Sequence, residues 1–173
     1  MRIRVSLVLM ALMLCLLSQA GFALDETEYT VRKEFDAVVP IFMPGHAGEP
    51  EWIEGFSFGG TIYLGEAAIG TVTGAATLWN PPMNMQDIYD QISVRITNTV
   101  TGLGTFEVHG QGVVLGSSTS AMMGDYLISW AGSLANGTGA FDGYYGLSTG
   151  LAQANLNTGT ASATELLLVR DGF

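Results

Sequence analysis

Cationic side chains are scarce in this chain. Of 173 residues only six are Lys or Arg, against sixteen Asp or Glu, and the charged fraction is 13%, about half that of ordinary globular domains. Binding to nucleic acid needs cations that displace counterions from phosphates, so that class of partner is excluded. Attraction to an anionic membrane surface fails for the same reason. Cysteine is equally rare: Cys15 is the single one. It lies in the N-terminal apolar run, so the rest of the chain has no disulfide, no thiol nucleophile and no thiolate metal ligand. Proline is absent after Pro82, and nothing downstream lacks a ladder N–H on that account. Long apolar runs are missing too. Val5 to Leu17 is thirteen residues, short of the roughly 20 that a spanning helix needs.

That apolar run reads as part of an export signal. Arg2 and Arg4 precede it, and Gly21-Phe22-Ala23 supplies small residues at and three back from a cleavage point. Cys15 follows Leu14 deep inside the run, which does not fit a lipoprotein. The sequence predicts removal of residues 1–23 and a secreted or periplasmic chain from Leu24 to Phe173, with no stable membrane anchor after cleavage. Four cations remain (Arg32, Lys33, Arg95 and Arg170) against sixteen carboxylates, a net of minus twelve. About 150 residues suffice for a core without disulfides, since a domain of that size buries about 68–70% of its unfolded surface.

Glycine, threonine and apolar residues fill most of what is left, in period-two patterns with turn signals between them. Tyr29 to Val39 makes an imperfectly alternating first strand ended by Pro40, followed by an irregular stretch from Ile41 to Gly55. Phe56 to Leu64 sets Phe56, Phe58, Ile62 and Leu64 on one face. Gly65-Glu66 turns the chain into Ala68 to Trp79, which Asn80-Pro81-Pro82 ends. Met83 to Asp90 reads as a loop with room for a helical turn. Gln91 to Thr97 and Thr105 to Val113 form a hairpin. A turn centred on Thr101 pairs Ile96 with Phe106 and Val94 with Val108 on the apolar face, and Arg95 with Glu107 and Ser93 with His109 on the polar one. After a turn at Gly116 to Ser120 come Asp125 to Leu134, a glycine-rich connection, Ser148 to Leu156, and Ala161 to Arg170. About eight short strands favour an all-β sandwich or barrel. A closed barrel would also hide the edge strands.

The glycine-rich connection carries a resemblance. Asn136-Gly137-Thr138-Gly139-Ala140-Phe141-Asp142-Gly143-Tyr144-Tyr145-Gly146 resembles the Gly-Thr-Gly-x-Phe/Tyr-x-Gly-x-x-Gly signature of allene oxide cyclase-like and dirigent-like barrels. Tyr126 to Trp130 and Glu107 to Val114 stand where that family has its preceding strands. The resemblance implies a closed eight-stranded antiparallel barrel, calycin-like, often trimeric, with an apolar cavity at one end. Relatives act as cyclases or direct couplings. Their catalytic residues match no positions here, so the resemblance carries the fold and leaves the catalytic residues unassigned. The motif itself reads as architecture, with glycines at a tight connection and Phe141 anchoring it in the core.

Several constellations invite chemistry and are better read as structure. Gly55-Phe56-Ser57-Phe58-Gly59, with Asp87 and His109 following, matches a hydrolase pattern. That mechanism needs a strand-to-helix elbow, and here a strand continues. Arg95, Glu107 and His109 gather on one hairpin face, which reads as a solvent-facing ion pair beside a histidine more readily than as acid/base machinery. His46 stands alone in a Pro/Gly loop. Two histidines with no usable cysteine make no zinc motif, and no run resembles an EF-hand loop, so neither metal nor cofactor is expected. Asn136-Gly137-Thr138 is a glycosylation acceptor pattern, meaningful only in a eukaryotic secretory route. The aromatics Phe56, Phe58, Tyr63, Trp79, Tyr126 and Trp130 are the candidate lining of a ligand cavity, with Glu66, Tyr63 and the Met83–Asp90 loop near its opening. The expected function is binding of a small apolar molecule, with cyclase or isomerase activity of the allene oxide cyclase-like type. The competing expectation is a structural or interaction module with a filled barrel. A homo-oligomer fits either.

Overall fold

The computed structural model describes residues 26–43, 47–48, 52–79, 88–116 and 124–170. Eight strands follow one another: β1 (Glu26–Met43), β2 (Trp52–Leu64), β3 (Ala67–Leu78), β4 (Ile88–Val100), β5 (Gly104–Gly116), β6 (Asp125–Ala135), β7 (Tyr145–Asn155) and β8 (Thr160–Arg170). One 3₁₀ turn, Gly139–Phe141, is the only helix among the described residues. Each strand pairs antiparallel with its sequence neighbour, and β1 pairs with β8 from Glu26↔Arg170 to Phe35↔Ala161. The sheet is therefore an up-and-down closed barrel, as the strand count and the resemblance both imply, with no edge left along those ten residues.

Period two decides what fills it. Alternate residues of every strand turn inward: Val31, Lys33 and Phe35 on β1, Ile92 to Asn98 on β4, Tyr126, Trp130 and Leu134 on β6, Ala163, Glu165 and Leu167 on β8. Small residues face large ones. Gly150 of β7 carries no side chain where an added Cβ would sit 2.0 Å from the Trp130 ring, so the indole occupies the space above that glycine.

Three expectations need correction. β1 does not end at Pro40 but runs to Met43, pairing with β2 through Pro40↔Phe56 and Met43↔Trp52. Its partner β8 has already been left behind at Phe35, and the Val38 N–H points away from β2, to Gly159 O at 2.8 Å. Pro40, two residues on, has its ring nitrogen on that same side, where no ladder partner is lost. A register shift between Phe35 and Ala37 moves the inward position from odd to even numbers, so Val38 is buried and Val39 is not. This bulge is the source of the imperfect alternation in the sequence.

β2 and β4 likewise reach into segments read as loops, from Trp52 and from Ile88. Of those segments, residues 44–46, 49–51 and 80–87, with the proposed Asn80-Pro81-Pro82 stop and Asp87, lie outside the described residues, as do the signal segment and 117–123.

The β4–β5 hairpin is displaced by two residues. Ile96 pairs with Val108, Arg95 with His109, Thr97 with Glu107 and Asn98 with Phe106. The turn is Thr101 to Leu103, with Gly102 at φ 76° and the Leu103 N–H donating to Val100 O at 3.1 Å. A left-handed glycine at the centre of the turn sets the register. A shift of two keeps every side chain on its face, so the face assignments survive.

Candidate functional site

The glycine motif caps one end of the barrel. Its 3₁₀ turn lies against the β4–β5 turn, with the Ala140 N–H donating to Leu103 O and the Thr138 N–H to Thr105 O, both 2.8 Å. The Thr105 N–H returns a bond to Thr138 Oγ1 at 3.0 Å. Gly139 takes φ 64°, and a Cβ there would meet Leu103 O at 2.3 Å, so only glycine lets the two turns approach. The cap holds Phe141 against Phe106 at 5.1 Å between ring centroids, and Tyr144 against Phe141 at 6.3 Å. Phe141 thus anchors the connection in the barrel, the role that the sequence assigns to it.

Beneath this cap lies a cavity of about 290 Å³. Val31, Ile62, Phe106, Leu134, Phe141 and Leu167 are part of its apolar wall, and the Tyr144 phenol lines it too. Tyr29, Leu64 and Leu103 line it as well while remaining 42%, 44% and 52% exposed; they mark its mouth. Amid this wall stands Asn98, fully buried at an inward position of β4 between Ile96 and Val100. Neither Nδ2 nor Oδ1 has a hydrogen-bond partner among the described residues. Leaving a buried amide unpaired costs about 1–3 kcal/mol per group.

One inward step deeper on β1 and β8, Lys33 and Glu165 form a fully buried ion pair. Ser148 Oγ donates to Glu165 Oε1 at 2.6 Å and Trp130 Nε1 to the same oxygen at 3.2 Å. Burial pushes the Lys33 ammonium below its usual range, and the Glu165 carboxylate opposes that shift. A second cavity at the far end is only about 40 Å³. The Tyr126 hydroxyl is buried nearby with no partner among the described residues, and desolvation raises its pKa.

The six candidate aromatics divide. Phe56, Phe58 and Trp130 line the small far cavity, with Tyr126 tilted against Phe56 at 6.1 Å. Tyr63 and Trp79 are on the outside, which corrects their place in the set. Tyr63 lies under the Arg32 guanidinium at 4.3 Å. Trp79 is 56% exposed and donates to Ser93 Oγ at 2.8 Å. None of the six lines the larger cavity. Glu66 is exposed in the β2–β3 turn. Ser57 sits in mid-strand with no elbow, so the hydrolase pattern gathers no site around it.

Arg95, Glu107 and His109 do meet, on the outer face. Glu107 Oε2 accepts from Arg95 Nε at 3.1 Å, from Asn136 Nδ2 at 2.9 Å, and lies 2.5 Å from His109 Nε2. The His109 bond and then the Asn136 bond hold the Glu107 carboxyl down at about 2. The cluster borders a shallow hollow in the outer sheet shared with Ser93, Gln111 and Ser133, separated from the interior by the barrel wall.

The sequence reading missed Asn98, Lys33 and Glu165. Parity was the available signal: each is the polar member of an inward triplet, Ile96-Asn98-Val100, Val31-Lys33-Phe35 and Ala163-Glu165-Leu167.

Fold and site together define a closed antiparallel β-barrel with a capped apolar chamber above a buried ion pair. No protein-family model matches the chain, and no curated protein matches it. Among solved structures it is similar to a nonspecific heme-binding cyclase that catalyses a 4 + 2 cycloaddition during neoabyssomicin biosynthesis, at 17% identity and TM-score 0.47, over 89% of this chain and 67% of that one. It is also similar to the Diels Alderase AbmU from Streptomyces koyangensis, at 16% identity and TM-score 0.45, over 91% of this chain and 74% of that one. At this distance neither likeness speaks to the chemistry of the present chain.

Proposed function

We propose that the chain is exported after loss of residues 1–23 and that its capped chamber holds one small, mostly apolar molecule. In this reading it is a cyclase or isomerase of the allene oxide cyclase-like type. The supporting observation is the 290 Å³ chamber itself, close to the lower bound of about 300 Å³ for ligand sites and lined by apolar groups around one buried amide. Such a chamber lowers a cyclisation barrier by confining a flexible guest to its reactive conformer, a contribution that comes from orientation. The Glu165–Ser148–Lys33 group lies one inward step below the chamber.

The alternative, a filled structural barrel, draws support from the far end, where only about 40 Å³ is open. Thermal unfolding with benzalacetone, a neutral guest of suitable size, separates the two. Ligand that binds only the folded chain stabilises it by RT ln(1 + L/Kd), where L is its free concentration, so the midpoint rises with ligand concentration. The chamber reading expects a concentration-dependent rise, abolished by Val169→Phe, which places a ring in the chamber from its wall. No rise in the unsubstituted protein favours the filled module.

A further inference from the structure

We infer that Asn98 selects the guest: the chamber takes an uncharged molecule presenting a hydrogen-bond donor and acceptor side by side, such as a carboxamide, a lactam or a protonated acid, on an apolar body. The inference rests on the chamber reading above and deepens it. A primary amide offers one acceptor and two donors, and Asn98 Oδ1 and Nδ2 are both buried with no partner among the described residues while lining the chamber. Its cross-strand neighbours Val72 and Phe106 carry no polar side-chain group, nor do Val31, Ile62, Leu134 and Leu167 in the wall; the phenols of Tyr29 and Tyr144 also line the chamber, and neither bonds to the amide. An acceptor-only guest satisfies Nδ2 and leaves Oδ1 orphaned, and a hydrocarbon leaves both. Only a guest carrying both functions on adjacent atoms closes a two-bond ring with the amide.

Charge narrows the class further. Lys33 is already paired with Glu165, so no free cation among the described residues faces the chamber to compensate an anion brought out of water. Size sets the remaining bound. With water's roughly 30 Å³ share of liquid volume as the yardstick, a chamber of 290 Å³ has the volume of about ten waters and admits only a small guest.

Three probes share one apolar body and differ only at its end: cinnamamide with donor and acceptor, benzalacetone with acceptor alone, and cinnamate as the anion at neutral pH. Calorimetric titration of the exported chain is expected to rank cinnamamide about tenfold or more tighter than benzalacetone, the worth of an added neutral hydrogen bond and a satisfied acceptor. Cinnamate should be weakest. Asn98→Leu, apolar and of similar shape, should erase the preference of cinnamamide over benzalacetone. The ranking in the unsubstituted protein stands as a test by itself should that variant fold poorly. Equal affinity for the two neutral probes, or tightest binding of cinnamate, overturns the inference and leaves the chamber reading in place. Absence of binding by all three overturns both.

Discussion

Lys33 and Glu165 are the two charges that the barrel holds out of water, and each is tolerable only because of the other. Removing one partner leaves an uncompensated buried charge, so Glu165→Gln should destabilise by about 3–5 kcal/mol. The double change Lys33→Met with Glu165→Leu should recover most of that loss, because apolar replacement of both partners is often neutral or better. Urea denaturation of the three proteins measures it, and equal stability of the single and double variants would count against the pairing. Glu107 makes the opposite case on the outer face. Its carboxyl falls from an ordinary 4.5 to about 2 through His109 and Asn136, so the unfolded chain binds the proton first as pH drops. The stabilisation is complete above the unfolded value and disappears as pH falls through the folded one. The stability difference between the parent and Glu107→Gln should therefore be constant above about 4.5 and vanish near 2, a small effect in a pair that stands in water.

Strand pairing shows how far parity carries a sequence and where it stops. Inward faces were legible wherever a strand alternates cleanly: Ile92, Val94 and Ile96, or Phe106 and Val108, are all buried as read. Register was not, because Ile96 opposite Phe106 and Ile96 opposite Val108 are equally apolar pairs. The turn settles it, through Gly102 at φ 76°. Pro40 misled for a related reason, since whether a strand tolerates proline depends on which neighbour its nitrogen faces. The site was less legible than the fold. Aromatic content pointed to the far end, where Phe56, Phe58 and Trp130 pack, whereas the chamber is built from aliphatic strand ends and the glycine cap. At the element scale, the Trp130–Gly150 contact between β6 and β7 is a tight constraint. Gly150→Ala should displace the indole from Glu165 and cost about 1–3 kcal/mol by overpacking. A loss of near-ultraviolet dichroism should accompany the lowered stability; unchanged dichroism would mean that the ring had room to spare.

For the molecule as a whole, closure and guest binding are linked. The ten-residue β1–β8 seam makes the wall continuous, the cap roofs one end, and the ion pair lies one inward step below the chamber. Nuclear magnetic resonance of the exported chain, labelled at its methyl and side-chain amide groups and titrated with cinnamamide, tests that arrangement most directly. Shifts are expected at Asn98 Nδ2 and at chamber-lining methyls, those of Val31, Ile62, Leu134 and Leu167 among them, with Val114 and the outer Leu147 and Leu151 unmoved. Shifts restricted to Leu147 and Leu151, or no shifts at saturating probe, would contradict it.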